Sequence, residues 1–186
     1  MKILAICSGR KNGNSSFMIQ KAIETVPNAN SLIDVIHIGS MKLLFCDGCL
    51  SCDESGICHL DDDMSSIIAK IDNYHAFVFA TPTRWSLLSG DMKVFFDRLN
   101  PLAASNRLEG KKAIIFVVGQ SGKVNAESIS LAADSVRYFC DNAGIEVVDS
   151  ILATDCLNSG DVMFCHDILD GCKSAMNNLL NTLRGL

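Results

Sequence analysis

Apolar positions along the chain follow two alternating rhythms. Short, nearly continuous apolar runs occur at residues 2–7, Ser31–Ile38, Ala76–Ala80, Lys112–Val118 and Ile145–Leu152. Runs of that length, bounded by polar turns, read as strands buried on both faces. Between them, apolar residues recur every three or four positions, as the buried stripe of a helix requires. Ile19, Ala22, Ile23 and Val26 form one such stripe, stopped by Pro27 and Asn28, with Asn14 or Ser15 as the expected N-cap. Met64, Ile67, Ile68 and Ile71 form the next, behind Asp61, Asp62 and Asp63, whose charge suits a helix N-terminus. A third helix is expected from Gly90 to Asn100 on Met92, Phe95, Phe96 and Leu99. A fourth runs through Ile129, Ala132, Ala133, Val136 and Phe139 to Gly144, and a last one spans Val162 to Leu183.

Strand and helix therefore alternate five times, which implies a parallel sheet covered on both faces. The expected fold class is α/β: a doubly wound five-stranded sheet of order 2-1-3-4-5 with helices on both faces. Residues 1–186 are read as a single domain with a cysteine-rich loop at 40–60. In such sheets a ligand binds at the C-terminal strand edges, near the reversal of strand order. The loops after the first, third and fourth strands break the apolar pattern with Gly, Pro, Ser and Thr, and they should converge there.

Composition narrows the function classes. The 186 residues are 48 % hydrophobic and 20 % charged, enough for a full core and too apolar for disorder. A net charge of −5 without a Lys/Arg cluster leaves no footprint for nucleic acid. No apolar run approaches a membrane span, and the N-terminal run reads as a strand rather than a signal peptide. Nine cysteines, an odd number, without a secretion signal point to a reducing cytoplasm.

Four of those cysteines, Cys46, Cys49, Cys52 and Cys58, follow the spacing C-x2-C-x2-C-x5-C, with Gly56 free to bend the chain before the last. Thiolates packed so closely repel unless a cation, a cluster or a disulfide takes up the charge. Structural zinc sites usually split their ligands into two distant C-x2-C pairs. Consecutive C-x2-C steps are closer to the ferredoxin run that holds a [4Fe–4S] cluster. Three readings stay open: an iron–sulfur cluster, unmetallated thiols, or zinc. His59 is a solvated neighbour of Cys58 that could also ligate a metal. Cys7 reads as a small buried apolar residue, and Cys165 and Cys172 as a packing stripe on the last helix. His37, His75 and His166 read as structural.

Residues 8–16 form a polar loop with two glycines leading into a helix, which offers backbone N–H groups and a positive helix end to an anion. Ser8, Arg10, Asn14, Ser15 and Ser16 could complete a phosphate cradle. Neither G-x4-G-K-[ST] nor G-x-G-x-x-G is present, so this is neither a P-loop nor a Rossmann dinucleotide turn.

Taken together, Ser8-x-Arg10 with Gly13-Asn14-Ser15, the four-cysteine segment followed by Asp61 to Asp63, Thr81-Pro82-x-x-Trp85, and Ser89-Gly90-x-x-Lys93-x-Phe95-x-Asp97-Arg98 resemble the iron–sulfur flavoproteins. These are flavodoxin-like proteins of the NADPH-dependent FMN reductase group. The resemblance implies FMN with its phosphate on Ser8, Arg10, Asn14, Ser15 and Ser16. It also implies that Pro82, Thr83, Arg84 and Trp85 run along the isoalloxazine edge and that Gly119, Gln120 and Ser121 contribute from the third loop. Gly9 stands where relatives commonly have Pro, and Arg84 where an aromatic is common. Trp85 is read as either a flavin contact or a partly buried loop anchor, and Lys93, Asp97 and Arg98 as structural. The implied function is electron transfer from a donor such as NAD(P)H or ferredoxin through FMN and a [4Fe–4S] cluster, in a homodimer or homotetramer. Two alternatives are a cluster-free NAD(P)H-dependent FMN or quinone reductase and a zinc-stapled flavodoxin-like binding module.

Overall fold

Alternation of side chains along buried strands sends neighbouring residues to opposite faces, and here it builds two separate cores. The computed structural model describes residues 1–122 and 127–185. Strands β1 (Ile3–Cys7), β2 (Ile33–His37), β3 (Ala76–Pro82), β4 (Lys112–Val118) and β5 (Glu146–Ala153) form one parallel sheet of order β2-β1-β3-β4-β5. This is the expected doubly wound order. Helix α1 is Asn14–Ile23, α2 Ala29–Leu32, α3 Ser51–Ser55, α4 Asp63–Ile68, α5 Gly90–Asp97, α6 Asn100–Ala103, α7 Glu127–Asn142 and α8 His166–Arg184.

Ile3, Ala5 and Cys7 of β1 point into the core beneath α1 and α8, together with Ala76, Val78 and Ala80 of β3. Leu4 and Ile6, with Phe77 and Phe79, point the other way, beneath α4, α5 and α7. The first face is dominated by small side chains, so α1 and α8 sit close to the sheet and to each other. The second is aromatic: Phe96 of α5 and Phe139 of α7 stack with centroids 3.8 Å apart, and Phe79 meets Phe96 edge-on at 5.3 Å. That pair joins two helices that are distant in sequence.

The boundaries differ from the periodicity in four places. The second strand starts at Ile33, because Ala29–Leu32 makes a helical turn first. The expected helix over 90–100 ends at Asp97, and Pro101 in the first turn of α6 starts a new one, since proline suits a helix start and not its interior. The last helix begins at His166 rather than Val162, because residues 161–164 form a 3₁₀ turn. Finally, Gly13 rather than Asn14 or Ser15 is the N-cap of α1, with no side chain capping it.

Candidate functional site

A cavity of about 880 Å³ opens at the C-terminal ends of β1, β3 and β4, where the strand order reverses. Of the expected cofactor residues, Ser8, Arg10, Asn14, Ser15, Pro82, Thr83, Arg84, Trp85, Gly119, Gln120 and Ser121 all line it; Ser16 is buried and does not. The backbone N–H groups of Asn14, Ser15 and Ser16 occupy the first turn of α1, where no intrahelical acceptor exists. The cavity therefore meets the positive end of a helix.

Arg10, Lys11 and Arg84 rim the cavity, and among the described residues none is paired with a carboxylate. Arg84 spends one N–H on the carbonyl of Thr83, at 3.0 Å. Gly9 lies so close to α1 that a Cβ there would stand 3.0 Å from that of Ser15. Gly119 is tighter still: a Cβ would come within 2.7 Å of Thr83 Oγ1. Glycine at both positions keeps the three loops close enough to share one cavity. A helix terminus, an unpaired guanidinium and a free seryl hydroxyl fit a phosphate monoester.

Two expected ligands have other duties. The Ser8 hydroxyl accepts from Ser89 Oγ at 2.8 Å and donates to the Ala80 carbonyl at 3.3 Å, tying the first loop to the N-cap of α5. The Asn14 amide donates to Asn158 O at 2.8 Å and accepts from the N–H groups of Gly160 and Val162, at 2.8 and 3.3 Å. It thus latches the loop after β5 onto the loop after β1. Ser159 adds a bond to the Asn12 carbonyl.

Trp85 is neither a buried anchor nor packed on a neighbour: it is 99 % exposed. Trp85 and Ser86 both adopt left-handed backbone, φ 51° and 65°, and Arg84 and Leu87 exchange backbone bonds of 2.8 and 3.0 Å across them. That is a type I′ hairpin made without its usual Asn-Gly, which holds the indole up beside the cavity under backbone strain. Residues 156–159 after β5, His37 at the end of β2, and Gly39 and Ser40 beyond it also line the cavity, and sequence pattern did not point to them. His37 Nδ1 is buried without a hydrogen-bond partner among the described residues. Burial, aided by nearby Lys11, holds its pKa below the ordinary value.

The four-cysteine segment is anchored from both sides by one buried pair. Arg98, the C-cap of α5, is 1 % exposed and grips the enclosed carboxylate of Asp62. Arg98 also donates to the carbonyls of Leu44 and Leu60, on either side of the segment, at 2.8 and 3.5 Å. Asp62 in turn accepts from the N–H of Leu44 and caps α4 through Met64. Burial alone would raise the Asp62 carboxyl; the Arg98 guanidinium and the two N–H donors outweigh it and hold it below its ordinary value. Within the segment, Gly48, Leu50 and Gly56 take left-handed backbone, and Gly56 bends the chain as its position suggested. Cys52 is buried, Cys46 and Cys58 are half-buried, and Cys49 is exposed. Cys49 and Cys58 are electrostatic neighbours of Cys52, and the Arg98 guanidinium is an electrostatic neighbour of Cys58. His59, expected as a bystander, bridges Cys49 Sγ at 3.4 Å and Asp47 at 3.1 Å. Positive or donor groups thus stand beside two of the four sulfurs, as an anionic thiolate assembly needs. Tetrahedral zinc would draw its sulfurs to roughly 3.8 Å from one another. Among the described residues Asp47, Cys49 and His59 alone converge within 4.8 Å, so the four sulfurs do not form a zinc-sized set.

This geometry places an open helix N-terminus and a thiol-rich loop on one flavodoxin-like sheet. Residues 1–134 match the family model described as NADPH-dependent FMN reductase. The chain belongs to that family. Within it, this FMN reductase relative is 33 % identical over 112 residues to an iron–sulfur flavoprotein of Archaeoglobus fulgidus, covering 60 % of this chain and 51 % of that one. A second iron–sulfur flavoprotein of the same organism is 30 % identical over 147 residues, covering 79 % and 72 %. The chain thus spans about half the length of the first of these relatives. An FMN-dependent NADH-azoreductase of Bacillus anthracis, solved in complex with FMN, superposes with a TM-score of 0.72 at 14 % identity, covering 96 % of this chain and 99 % of that one. That likeness speaks for the fold. Among the described residues, no helix is long and apolar enough to cross a membrane.

Proposed function

We propose that this member of the FMN reductase family is an FMN-dependent oxidoreductase that passes electrons from a donor to an acceptor through FMN and a [4Fe–4S] cluster on Cys46, Cys49, Cys52 and Cys58. The observation that carries the flavin half is the 880 Å³ cavity, in which the α1 N-terminus, Ser15 and Arg10 meet the loops after β3 and β4. Bound there, FMN supplies hydride and single-electron chemistry, and the chain supplies binding and electrostatics. Arg10, Ser15 and the N–H groups of α1 neutralise the phosphate. Asn14 acts through the loop it latches, and Ser8 through the α5 cap. Pro82, Thr83, Arg84 and Trp85 would line the isoalloxazine from the loop after β3, and Gly119, Gln120 and Ser121 would contribute from the loop after β4. Nicotinamide dinucleotide, as in the family's description, is the favoured donor, with ferredoxin the partner class for single electrons.

The names of the two Archaeoglobus relatives, the cysteine spacing and the donors beside Cys49 and Cys58 support the cluster. The second reading is a cluster-free NAD(P)H-dependent FMN or quinone reductase, favoured by the exposure of Cys49. Anaerobic iron, sulfide and FMN analysis of wild type and Cys49→Ser separates the two. Loss of iron with retention of FMN, and loss of ferredoxin reduction with survival of hydride transfer to FMN, is the expected result. Equal or absent iron in both proteins sinks the cluster and leaves the flavin reading intact.

A further inference from the structure

The four-cysteine segment carries a second set of metal donors, built on only one of its sulfurs. Asp47 and Cys49 stand near its start and His59 just past its end. The His59 ring bridges the two: Nδ1 lies 3.4 Å from Cys49 Sγ, and Nε2 lies 3.1 Å from Asp47 Oδ2. The other Asp47 oxygen accepts from the Cys49 N–H at 3.2 Å, which fixes carboxylate and thiol relative to each other. Left-handed backbone at Gly48 and Leu50 makes the tight turn that this arrangement requires. One donor atom from each of the three residues lies within 4.8 Å of the others. Among the described residues no other group of three or more His, Cys, Asp or Glu side chains converges so closely. All three are exposed, so a dissolved ion reaches them directly.

The separations suit a particular cation. Bonds of about 2.3 Å to sulfur and about 2.0 Å to nitrogen, set at a tetrahedral angle, hold those two donors about 3.5 Å apart around zinc. Cys49 Sγ and His59 Nδ1 already stand at that separation. The Asp47 side chain is half exposed and closes the set by rotating. A thiolate, an imidazole and a carboxylate together favour a borderline divalent ion; calcium and magnesium call for oxygen alone, and copper(I) for sulfur. We propose that Asp47, Cys49 and His59 form a mononuclear zinc site that closes the cysteine segment when it holds no cluster. Cys49 binds as the thiolate and its proton leaves to solvent. A water takes the fourth position. The site shares Cys49 with the cluster proposed above but requires neither cluster nor FMN.

The test uses the full-length chain freed of bound metal by anaerobic chelation, with cobalt(II) as the probe. Wild type should bind one equivalent. Its spectrum should show the near-ultraviolet charge transfer of a single thiolate and the visible bands of four-coordinate cobalt, to the red of flavin absorption. One equivalent of zinc should erase both. His59→Ala should weaken cobalt binding by about a hundredfold or more and Asp47→Asn by about tenfold or more, and Cys49→Ser should remove the charge transfer. Cys46→Ser and Cys58→Ser should leave spectrum and affinity unchanged. These positions are exposed or half-buried, and circular dichroism checks the fold of every variant. An absent cobalt spectrum, cobalt that resists zinc, or unchanged affinity in His59→Ala or Asp47→Asn would overturn the site. So would loss of binding in Cys46→Ser or Cys58→Ser, which would put the metal on the four cysteines instead. Iron analysis decides the cluster and cobalt titration decides this site, so either can fail alone.

Discussion

Arg98 and Asp62 carry opposite charges in a place water does not reach, and the cost of separating them is correspondingly high. Removing one partner of such a pair strands the other, typically at 3–5 kcal/mol. Arg98→Met should therefore lower the unfolding free energy by about 3–5 kcal/mol in urea titrations, whereas Lys93→Met, which breaks only an exposed i,i+4 pair with Asp97, should cost under ~0.5 kcal/mol. The Asp62 carboxyl is depressed in the folded chain relative to an unfolded value of about 3.9. Its contribution is thus complete above that value and is lost as pH falls through the lower, folded pKa. Asp62→Asn should be less stable at neutral pH and should lose less stability than wild type on acidification below about pH 4. In the loop after β1, Arg10→Ala removes a charge that has no carboxylate partner among the described residues and no side-chain hydrogen bond among them. It should weaken FMN binding by about tenfold or more with an unchanged melting profile, measured by fluorescence titration. Asn14→Ala should instead raise hydrogen exchange across residues 156–162, because its amide is already committed to that loop.

At the level of elements, the hairpin at 84–87 holds two residues with side chains in the left-handed region. Replacing Trp85 by Asn and Ser86 by Gly gives the turn its preferred residues and should stabilise the fold by about 1–2 kcal/mol in urea. The same change removes the indole, so the rate of FMN release should rise. The strands and the buried stripes of the helices were legible because burial imposes a period on the chain, and β1 and β4 place every alternate residue in the core that period predicts. The breaks at Arg98 and at residues 161–164 were not, because tertiary bonds override local pattern there. Arg98, just past the end of α5, bonds the flanks of the cysteine segment, and residues 161–164 bend to reach Asn14. Most of the cavity was readable from the loops after β1, β3 and β4. The role of the Asn14 amide was not: its partner lies 144 residues away, and no local spacing records such a contact. His59 next to Cys58 was visible, but its bridge from Cys49 to Asp47 depends on the left-handed turns at Gly48 and Leu50.

For the whole molecule, the distribution of exposed apolar side chains is uneven. Phe45, Leu50 and Ile57 stand 64–79 % exposed along the cysteine segment, and an apolar groove of about 410 Å³ lies between α5 and α7. Surfaces of this kind mark places where proteins associate. A homodimer or homotetramer is expected by light scattering of the FMN-loaded protein, and a monomer at micromolar concentration would refute that. The anchoring of the cysteine segment has a different consequence. Arg98 binds the chain at Leu44 and again at Leu60, so the entry and exit of the excursion meet at a single guanidinium. Everything between those points can be cut out and bridged by a few glycines without unpicking the sheet or the cavity. A chain shortened in this way should fold and retain FMN while carrying no iron. The cysteine excursion would then be separable cargo, which a descendant could shed in a single deletion while keeping the cavity.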